Sequence, residues 1–395
     1  MFSNLPTPVL DPILSLSVAY RSDERPNKVD LGIGVYKNSA GETPIMKAIQ
    51  MAQDVVVKTQ KTKAYVGLAG CEEFNQSMVD LLLSGTSAMD RVAAIQTPGA
   101  SGALRMLGDL MKVAQPDTTV WISNPSYVNH KPVMEAAGLK VRFYHYFSPE
   151  TKQVDTAKML DDLSKAGPSD VVLLHGCCHN PTGADIDFAA WQAITELSQK
   201  NGFTPFVDIA YQGFGDGLEE DAKGLRFMAD NVEEMLITTS CSKNFGLYRE
   251  RTGAAIVVGK NTQDVTNAKG KLLTLARSTY TMPPDHGAAL VKTILQDANL
   301  TSVWKQELSE MQQRLVSLRQ NLCNELRNNH NTDQFDFIES HKGMFTVLGF
   351  TEKQMAHLRE DYGIYGVGDG RINIAGLTET HIPYVADAIN KVSQL

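Results

Sequence analysis

Residues 92–125, VAAIQTPGASGALRMLGDLMKVAQPDTTVWISNP, set the fold class of this chain. The segment opens on a short apolar run, VAAIQTPG, which reads as a strand. ALRMLGDLMKVA follows with apolar residues at helical spacing, and TTVWISNP is a second strand. Beyond it KPVMEAAG reads as a helix, and VVLLHGCC, TPFVDIA, MLITTSCSK and AAIVVG read as further strands. FAAWQAITELSQKNG and DAKGLRFMADN are helical between them. Such alternation implies an α/β fold, a mostly parallel sheet covered by helices. Ligands collect beyond the carboxyl ends of strands in these sheets, so the turns that end the apolar runs should carry function.

After about residue 300 the pattern changes. VWKQELSEMQQRLVSLRQNLCNEL is a long helix, and the short strands DFIES, MFTVLGF and RINIAG then mix with two helical segments. This predicts a smaller α+β domain. Residues 1–45 do not fit the alternating pattern and are expected to join it. The expected division is a large domain over 46–309 and a small one from 1–45 with 310–395.

Composition narrows the function classes. At 395 residues the chain exceeds one simple core, and 43 % hydrophobic with 21 % charged residues excludes wholesale disorder. A net charge of −8 argues against nucleic acid or an anionic membrane as the main partner, while leaving room for a local basic pocket. No apolar run is long enough to span a bilayer. The N-terminal MFSNLPTPVLDPILSLSVAY has no basic leader and carries three prolines and an aspartate, unlike a signal peptide. Five cysteines, an odd number with no CxxC pair, read as a reduced, cytoplasmic protein.

Four strand ends turn polar abruptly. In Gln96-Thr97-Pro98-Gly99-Ala100-Ser101-Gly102, small residues let backbone N–H groups at a helix N-terminus approach an anion, with the Ser101 hydroxyl as a further donor. A tight turn is the plainer reading of that segment by itself. Cys177-Cys178-His179-Asn180-Pro181 fits no zinc spacing, so no metal is expected, and Asn180 reads as a polar side chain aimed from a rigid turn. Asp208 in Asp208-Ile209-Ala210-Tyr211 ends a buried strand and needs a compensating cation or hydrogen bonds; capping the next segment would also explain it. Lys243 in Ser240-Cys241-Ser242-Lys243 follows another apolar strand, where a desolvated amine becomes a nucleophile toward aldehydes. Ser240-x-x-Lys243 also matches the SxxK of serine acyl-transfer enzymes, but the SDN and KTG companions are absent. A surface lysine remains the other reading.

Together the blocks HNPTG (179–183), DIAYQGF (208–214), SKNFGLYRERTG (242–253) and GRINIAG (370–376) resemble, in order and spacing, the fold-type I pyridoxal-phosphate enzymes, specifically the class I aspartate/aromatic aminotransferases. The resemblance runs from about Asp11 to the C-terminus. It implies pyridoxal 5′-phosphate as cofactor, with Lys243 as its covalent attachment point and the later proton shuttle at the substrate Cα. Asp208 would pair with the ring nitrogen, and Tyr211 and Asn180 would hydrogen-bond the phenolate oxygen. Ser101, Ser240 and Arg251, with the backbone amide of Ala100, would cradle the phosphate.

Tyr65 matches the tyrosine that reaches the phosphate of a neighbouring subunit, which implies a homodimer with shared sites. Arg371 matches the arginine for the substrate α-carboxylate, and Arg277 the partner-subunit arginine for the side-chain carboxylate of aspartate or glutamate. Ile33 and Gly34 match a loop that closes over the substrate. Two positions depart from the family pattern. Tyr127 stands where a tryptophan usually stacks on the cofactor, and Met282 where a small polar residue is common; both bear on substrate preference. The implied reaction moves an amino group from aspartate to 2-oxoglutarate. Aromatic donors are the alternative, and a lyase on the same scaffold a remote one. A transcriptional regulator with this domain would need a DNA-binding extension.

Overall fold

The structure is a computed structural model that describes residues 1–7 and 11–395. Pro8, one of the prolines in the N-terminal reading, lies outside the described residues. The chain forms two compact units: Met1–Thr43 with Leu315–Ser340 and Met344–Leu395, and Pro44–Arg314 with His341–Gly343. The boundaries expected at 45/46 and 309/310 thus compare with 43/44 and 314/315, the second inside one helix, Ala298–His330.

Among the described residues the larger unit carries a seven-stranded sheet: β1 (Val92–Pro98), β2 (Thr119–Asn124), β3 (Lys140–His145), β4 (Asp170–His175), β5 (Thr204–Ile209), β6 (Met235–Ser240) and β7 (Thr252–Val258). Its spatial order is β1-β7-β6-β5-β4-β2-β3. Pairing is parallel from β3 through β6, and β7 runs antiparallel to both of its neighbours. Every residue of β6 and β7 is buried, as continuous apolar runs in a covered sheet should be. β3, KVRFYH, gave no strand signal because it is an edge strand with only Tyr144 buried.

Helix α1 (Gly99–Ala114) presents Leu104, Leu107 and Met111 to Val120, Leu173 and Phe206 of the sheet. Each such fully buried side chain stabilises the fold by about 2 kcal/mol. Later helices begin and end on recognisable signals. Asp187 accepts the Ala190 N–H at 2.8 Å to start Phe188–Asn201, which stops at Gly202 with φ 80°.

The smaller unit has its own apolar core, including Leu31, Leu322, Phe335, Ile338, Ile372 and Val385. Strands β8 (Phe345–Val347) and β9 (Arg371–Asn373) pair antiparallel within it. Val29–Asp30 pairs in parallel with Ile364–Tyr365. One expected strand is corrected: Phe337–Ser340 of DFIES is a helical turn. Phe335 and Ile338, three residues apart, are both buried, which is the spacing of a turn of helix rather than a strand. No helix among the described residues is long and apolar enough to cross a membrane.

Candidate active site

Strand register places His175, Asp208 and Thr238 side by side across β4, β5 and β6. Asp208 is buried, and its two oxygens are separately engaged. Oδ1 accepts the Thr238 hydroxyl at 2.7 Å, and Oδ2 lies 2.9 Å from Nε2 of the fully buried His130. The other His130 nitrogen is 2.9 Å from the Ser126 hydroxyl. Burial pushes the Asp208 carboxyl up, but the His130 hydrogen bond, the His130 and His175 rings and the Thr238 hydroxyl outweigh it. The group ends below the usual carboxylate range and is an anion at neutral pH.

Two further buried histidines nearby are held below their usual range. Desolvation, reinforced by His130, drives His175 down to about 3. His179, also held well below the usual value by burial, stacks on Tyr146 with ring centroids 4.0 Å apart and bonds Ser123 and Thr182. Cys177, Cys178 and Asp221 place possible ligand atoms within 4.8 Å of one another. The Asp221 oxygens, however, accept the N–H groups of Gly213, Gly215 and Asp216 at 2.8–2.9 Å, fastening the turn that follows Asp208.

Lys243 lies three residues past β6, in a turn anchored from the long helix Ala298–His330. The Trp304 indole N–H donates to the Asn244 carbonyl at 2.7 Å, and its ring stacks on Phe245 at 4.4 Å and 6°. Lys243 Nζ sits 4.8 Å from the centroid of the Tyr211 ring. The residue is only partly buried, yet its ammonium is withdrawn from water. Desolvation lowers its pKa from 10.5 to about 8, Asp208 opposing and Arg251 assisting.

A third feature lies where β1 passes into α1. The N-cap residue is Pro98, and among the described residues no N-cap side chain bonds the first turn, which leaves its N–H groups and the positive end of the dipole for a ligand. Arg251, at φ 52°, and Gly99, at φ 68°, approach so closely that a Cβ on Gly99 would lie 2.5 Å from an Arg251 nitrogen. A Cβ on Gly253 would fall 2.6 Å from the Gly99 carbonyl carbon. Ser240 Oγ is buried with no hydrogen-bond partner among the described residues, and Asn129 donates to Ser101 Oγ at 3.3 Å. An uncapped helix, a guanidinium and an orphaned hydroxyl fit a phosphate group.

Asp208 and Ser240 lie in the last two residues of their strands, Ala100, Ser101, Tyr127, Asn180, Tyr211 and Lys243 in the segments just after strands, and Arg251 immediately before the antiparallel β7, so all nine gather at one end of the strands. Asn180 is buried, its peptide bond to Pro181 is cis, and Tyr127 meets His130 edge-on at 5.3 Å. Tyr65 and Arg277 are placed differently. Tyr65 is 89 % exposed and Arg277 is exposed in the last turn of Thr262–Thr279. Their loops meet where the Val66 N–H donates to Met282 Sδ at 3.1 Å. Arg371 and Gly34 belong to the smaller unit. Arg371 is buried there, donates to the Gly32 carbonyl at 3.3 Å and lies over the Phe345 ring at 4.7 Å. Sequence reasoning missed His130, Thr238 and Trp304. Nothing near His130 in the sequence marks it, since its partner Asp208 is 78 residues away.

The family model for aminotransferase class I and II matches residues 26–389. An aromatic-amino-acid aminotransferase of Paracoccus denitrificans is 45 % identical over 99 % of this chain and 100 % of its own length. An aspartate aminotransferase of Escherichia coli K12 is 42 % identical over 98 % and 99 %. The chain is also similar to the solved aromatic-amino-acid aminotransferase of Burkholderia pseudomallei covalently bound to pyridoxal phosphate. There the TM-score is 0.97, with 36 % identity and 99 % of each chain covered. Strand-end chemistry, sequence and backbone path agree along nearly the whole length, and the chain belongs to the class I and II aminotransferases.

Proposed function

We propose that this enzyme moves the amino group of L-aspartate, and of aromatic amino acids, to 2-oxoglutarate, so that aspartate leaves as oxaloacetate and glutamate is formed. The observation that carries the reading is an anionic, buried Asp208 acting on a desolvated Lys243, with an uncapped helix start, Arg251 and the unpartnered Ser240 hydroxyl at the same end of the strands. Relatives named for aspartate and for aromatic amino acids stand at 42 % and 45 % identity, which supports both donor classes. Pyridoxal 5′-phosphate is the cofactor; when bound it supplies an aldehyde that takes up the amino group and a ring that accepts the electrons released at the substrate Cα.

The chain's own residues divide the remaining work. Lys243 Nζ holds the cofactor between turnovers and, as a neutral amine, takes the proton from the substrate Cα. With a pKa of about 8, roughly a tenth of the amine is neutral at pH 7. Asp208 holds a proton on the ring nitrogen, and His130 and Thr238 keep Asp208 in place to do so. The Tyr211 hydroxyl and Asn180 amide bind the phenolic oxygen, and Tyr127 offers an aromatic face in place of an indole. The Ala100 N–H, Ser101, Ser240 and Arg251 bind the phosphate, Arg251 with the fork that suits it.

Arg371 grips the α-carboxylate, with Ile33 and Gly34 beside it in the chain's smaller domain. Tyr65 and Arg277 serve the site of a second copy in a homodimer, Tyr65 at the phosphate and Arg277 at the side-chain carboxylate. Their exposure supports this. The two compact units correspond to a cofactor-binding domain and a small domain, and the protein works in the cytoplasm. The test is amino transfer by the pyridoxal-phosphate-loaded protein, using L-aspartate, L-phenylalanine and L-tyrosine with 2-oxoglutarate. Glutamate should form with aspartate and with at least one aromatic donor. A loaded protein that transfers from none of them contradicts the proposal.

A further inference from the structure

The loop Gly32–Val35 has its backbone polar groups tied from two sides. Asp30 Oδ1 accepts the N–H groups of Gly32 and Ile33 at 3.1 and 3.3 Å. The other Asp30 oxygen pairs with Lys37 at 3.2 Å, across the far end of the loop. From the opposite side comes Asn373, fully buried on β9. Its side-chain Nδ2 donates to the carbonyls of Ile33 and Val35 at 2.7 and 2.8 Å, and its backbone N–H to Leu31 at 2.7 Å. Its Oδ1 accepts the Ala375 N–H at 3.0 Å, so the amide is fixed in one orientation.

Arg371 is two residues before Asn373 on the same short strand, hence on the same face. It completes the set by donating to the Gly32 carbonyl at 3.3 Å. Gly34 is held close as well, since a Cβ there would come within 3.3 Å of the Phe345 ring that lies under the Arg371 guanidinium. Here the loop and the arginine are bonded into one surface.

We infer that Asp30 and Asn373 are positioning residues that clamp the Gly32–Val35 loop to Arg371, so that the α-carboxylate meets a preformed surface. The inference rests on the reading of Arg371 as the α-carboxylate ligand. Because aspartate and phenylalanine share that group, loosening the clamp weakens both donors alike and leaves the cofactor site untouched. Preorganisation of this kind acts on substrate affinity more than on the chemical step.

The test uses holoenzyme and four variants: Asp30→Ala, Asp30→Asn, Asn373→Ala and Arg371→Leu. Steady-state kcat and KM are measured for L-aspartate and L-phenylalanine with 2-oxoglutarate, together with retention of pyridoxal phosphate on gel filtration. Asp30→Ala should raise KM for both donors by roughly five- to tenfold, with kcat changing by less than about twofold and the cofactor retained. Asp30→Asn keeps an oxygen acceptor for the two N–H groups and should recover most of the lost KM. Asn373→Ala should follow Asp30→Ala; if it does not fold, the Asp30 pair decides. Unchanged KM in Asp30→Ala overturns the inference, and so does an Asp30→Asn as impaired as Asp30→Ala, since the effect would then belong to the Lys37 ion pair. If Arg371→Leu itself leaves KM unchanged for both donors, the reading of Arg371 fails before the clamp is in question.

Discussion

Lys243 owes its character to burial and two charged neighbours, whose effects differ in sign. Desolvation favours the neutral amine, Arg251 adds to that, and the Asp208 anion opposes it. In cofactor-free protein, reaction of Lys243 with an added aldehyde should therefore reach half its maximal rate near pH 8 instead of 10.5. Asp208→Asn removes the stabilising anion and should shift that midpoint to lower pH; Arg251→Gln removes a repelling cation and should shift it upward. A midpoint unmoved by both would mean that neither charge faces the amine. Asp208→Asn should also cut amino transfer by roughly a hundred- to thousandfold, the usual cost of losing a preorganised charge at the reacting centre.

The substrate arginines give a prediction of the same kind. Arg277→Leu should lower kcat/KM for aspartate by roughly ten- to a hundredfold or more, because a charge-assisted contact is lost. Phenylalanine, which has no side-chain carboxylate, should lose much less. Met282, joined to the neighbouring loop through Val66, offers apolar surface near that arginine in the sequence and favours measurable phenylalanine activity in the wild type. Equal losses for the two donors in steady-state assays would remove the role given to Arg277.

Individual residues were legible where a polar side chain interrupts an apolar run. Lys243 and Asp208 both stand out in that way. His130 did not, because its partner Asp208 is 78 residues away and only the crossover between β2 and β5 brings them to 2.9 Å. Thr238 was hidden too, since a threonine inside a buried strand looks like any other β-former.

At the scale of elements, the long helix Ala298–His330 does more than cover the sheet. Trp304 fastens the Lys243 turn through a hydrogen bond and a stacked ring. Trp304→Ala should destabilise the protein by about 3–5 kcal/mol, visible as a lower thermal midpoint, and reduce kcat by loosening that turn. Trp304→Phe keeps an aromatic face and should cost only about 0.5–1.5 kcal/mol for the lost hydrogen bond. The junction of β7 with α1 is equally confined. Gly253→Ala would drive a methyl to 2.6 Å from Gly99 and 2.7 Å from the Thr239 carbonyl oxygen. It should lose roughly 1–3 kcal/mol and weaken pyridoxal-phosphate affinity, since the cradle must open. An unchanged midpoint and affinity would show that the junction has slack.

Helices and buried strands were legible because their periods differ. The exceptions have separate causes. β3 is an edge strand with charged residues facing outward, so its pattern carried no apolar run. In Phe337–Ser340 the packing of Phe335 and Ile338 at helical spacing overrode a segment whose alternation looks strand-like. Neither difference falls on Asp208 or Lys243, which sit in and just after strands whose apolar runs are legible.

For the molecule as a whole, alternation of strands and helices was enough to expect a mostly parallel sheet. It could not show that β7 runs antiparallel to both neighbours, because short buried strands carry no sign of direction. The assembly makes its own prediction. If Arg277 serves a partner's site, mixing Lys243→Ala with Arg277→Ala subunits should regain aspartate activity, because one site of each mixed dimer carries neither change. No recovery after demonstrated subunit exchange would place Arg277 in its own subunit's site.

The central claim, that Lys243 performs the transfer chemistry, is tested most directly by the rate of glutamate formation from L-aspartate and 2-oxoglutarate in Lys243→Ala loaded with pyridoxal phosphate. The rate should fall by roughly a hundred- to ten-thousandfold, the contribution of a positioned proton-transfer group, in a protein that still retains the cofactor in its phosphate cradle. Glutamate formation at the wild-type rate would contradict the account.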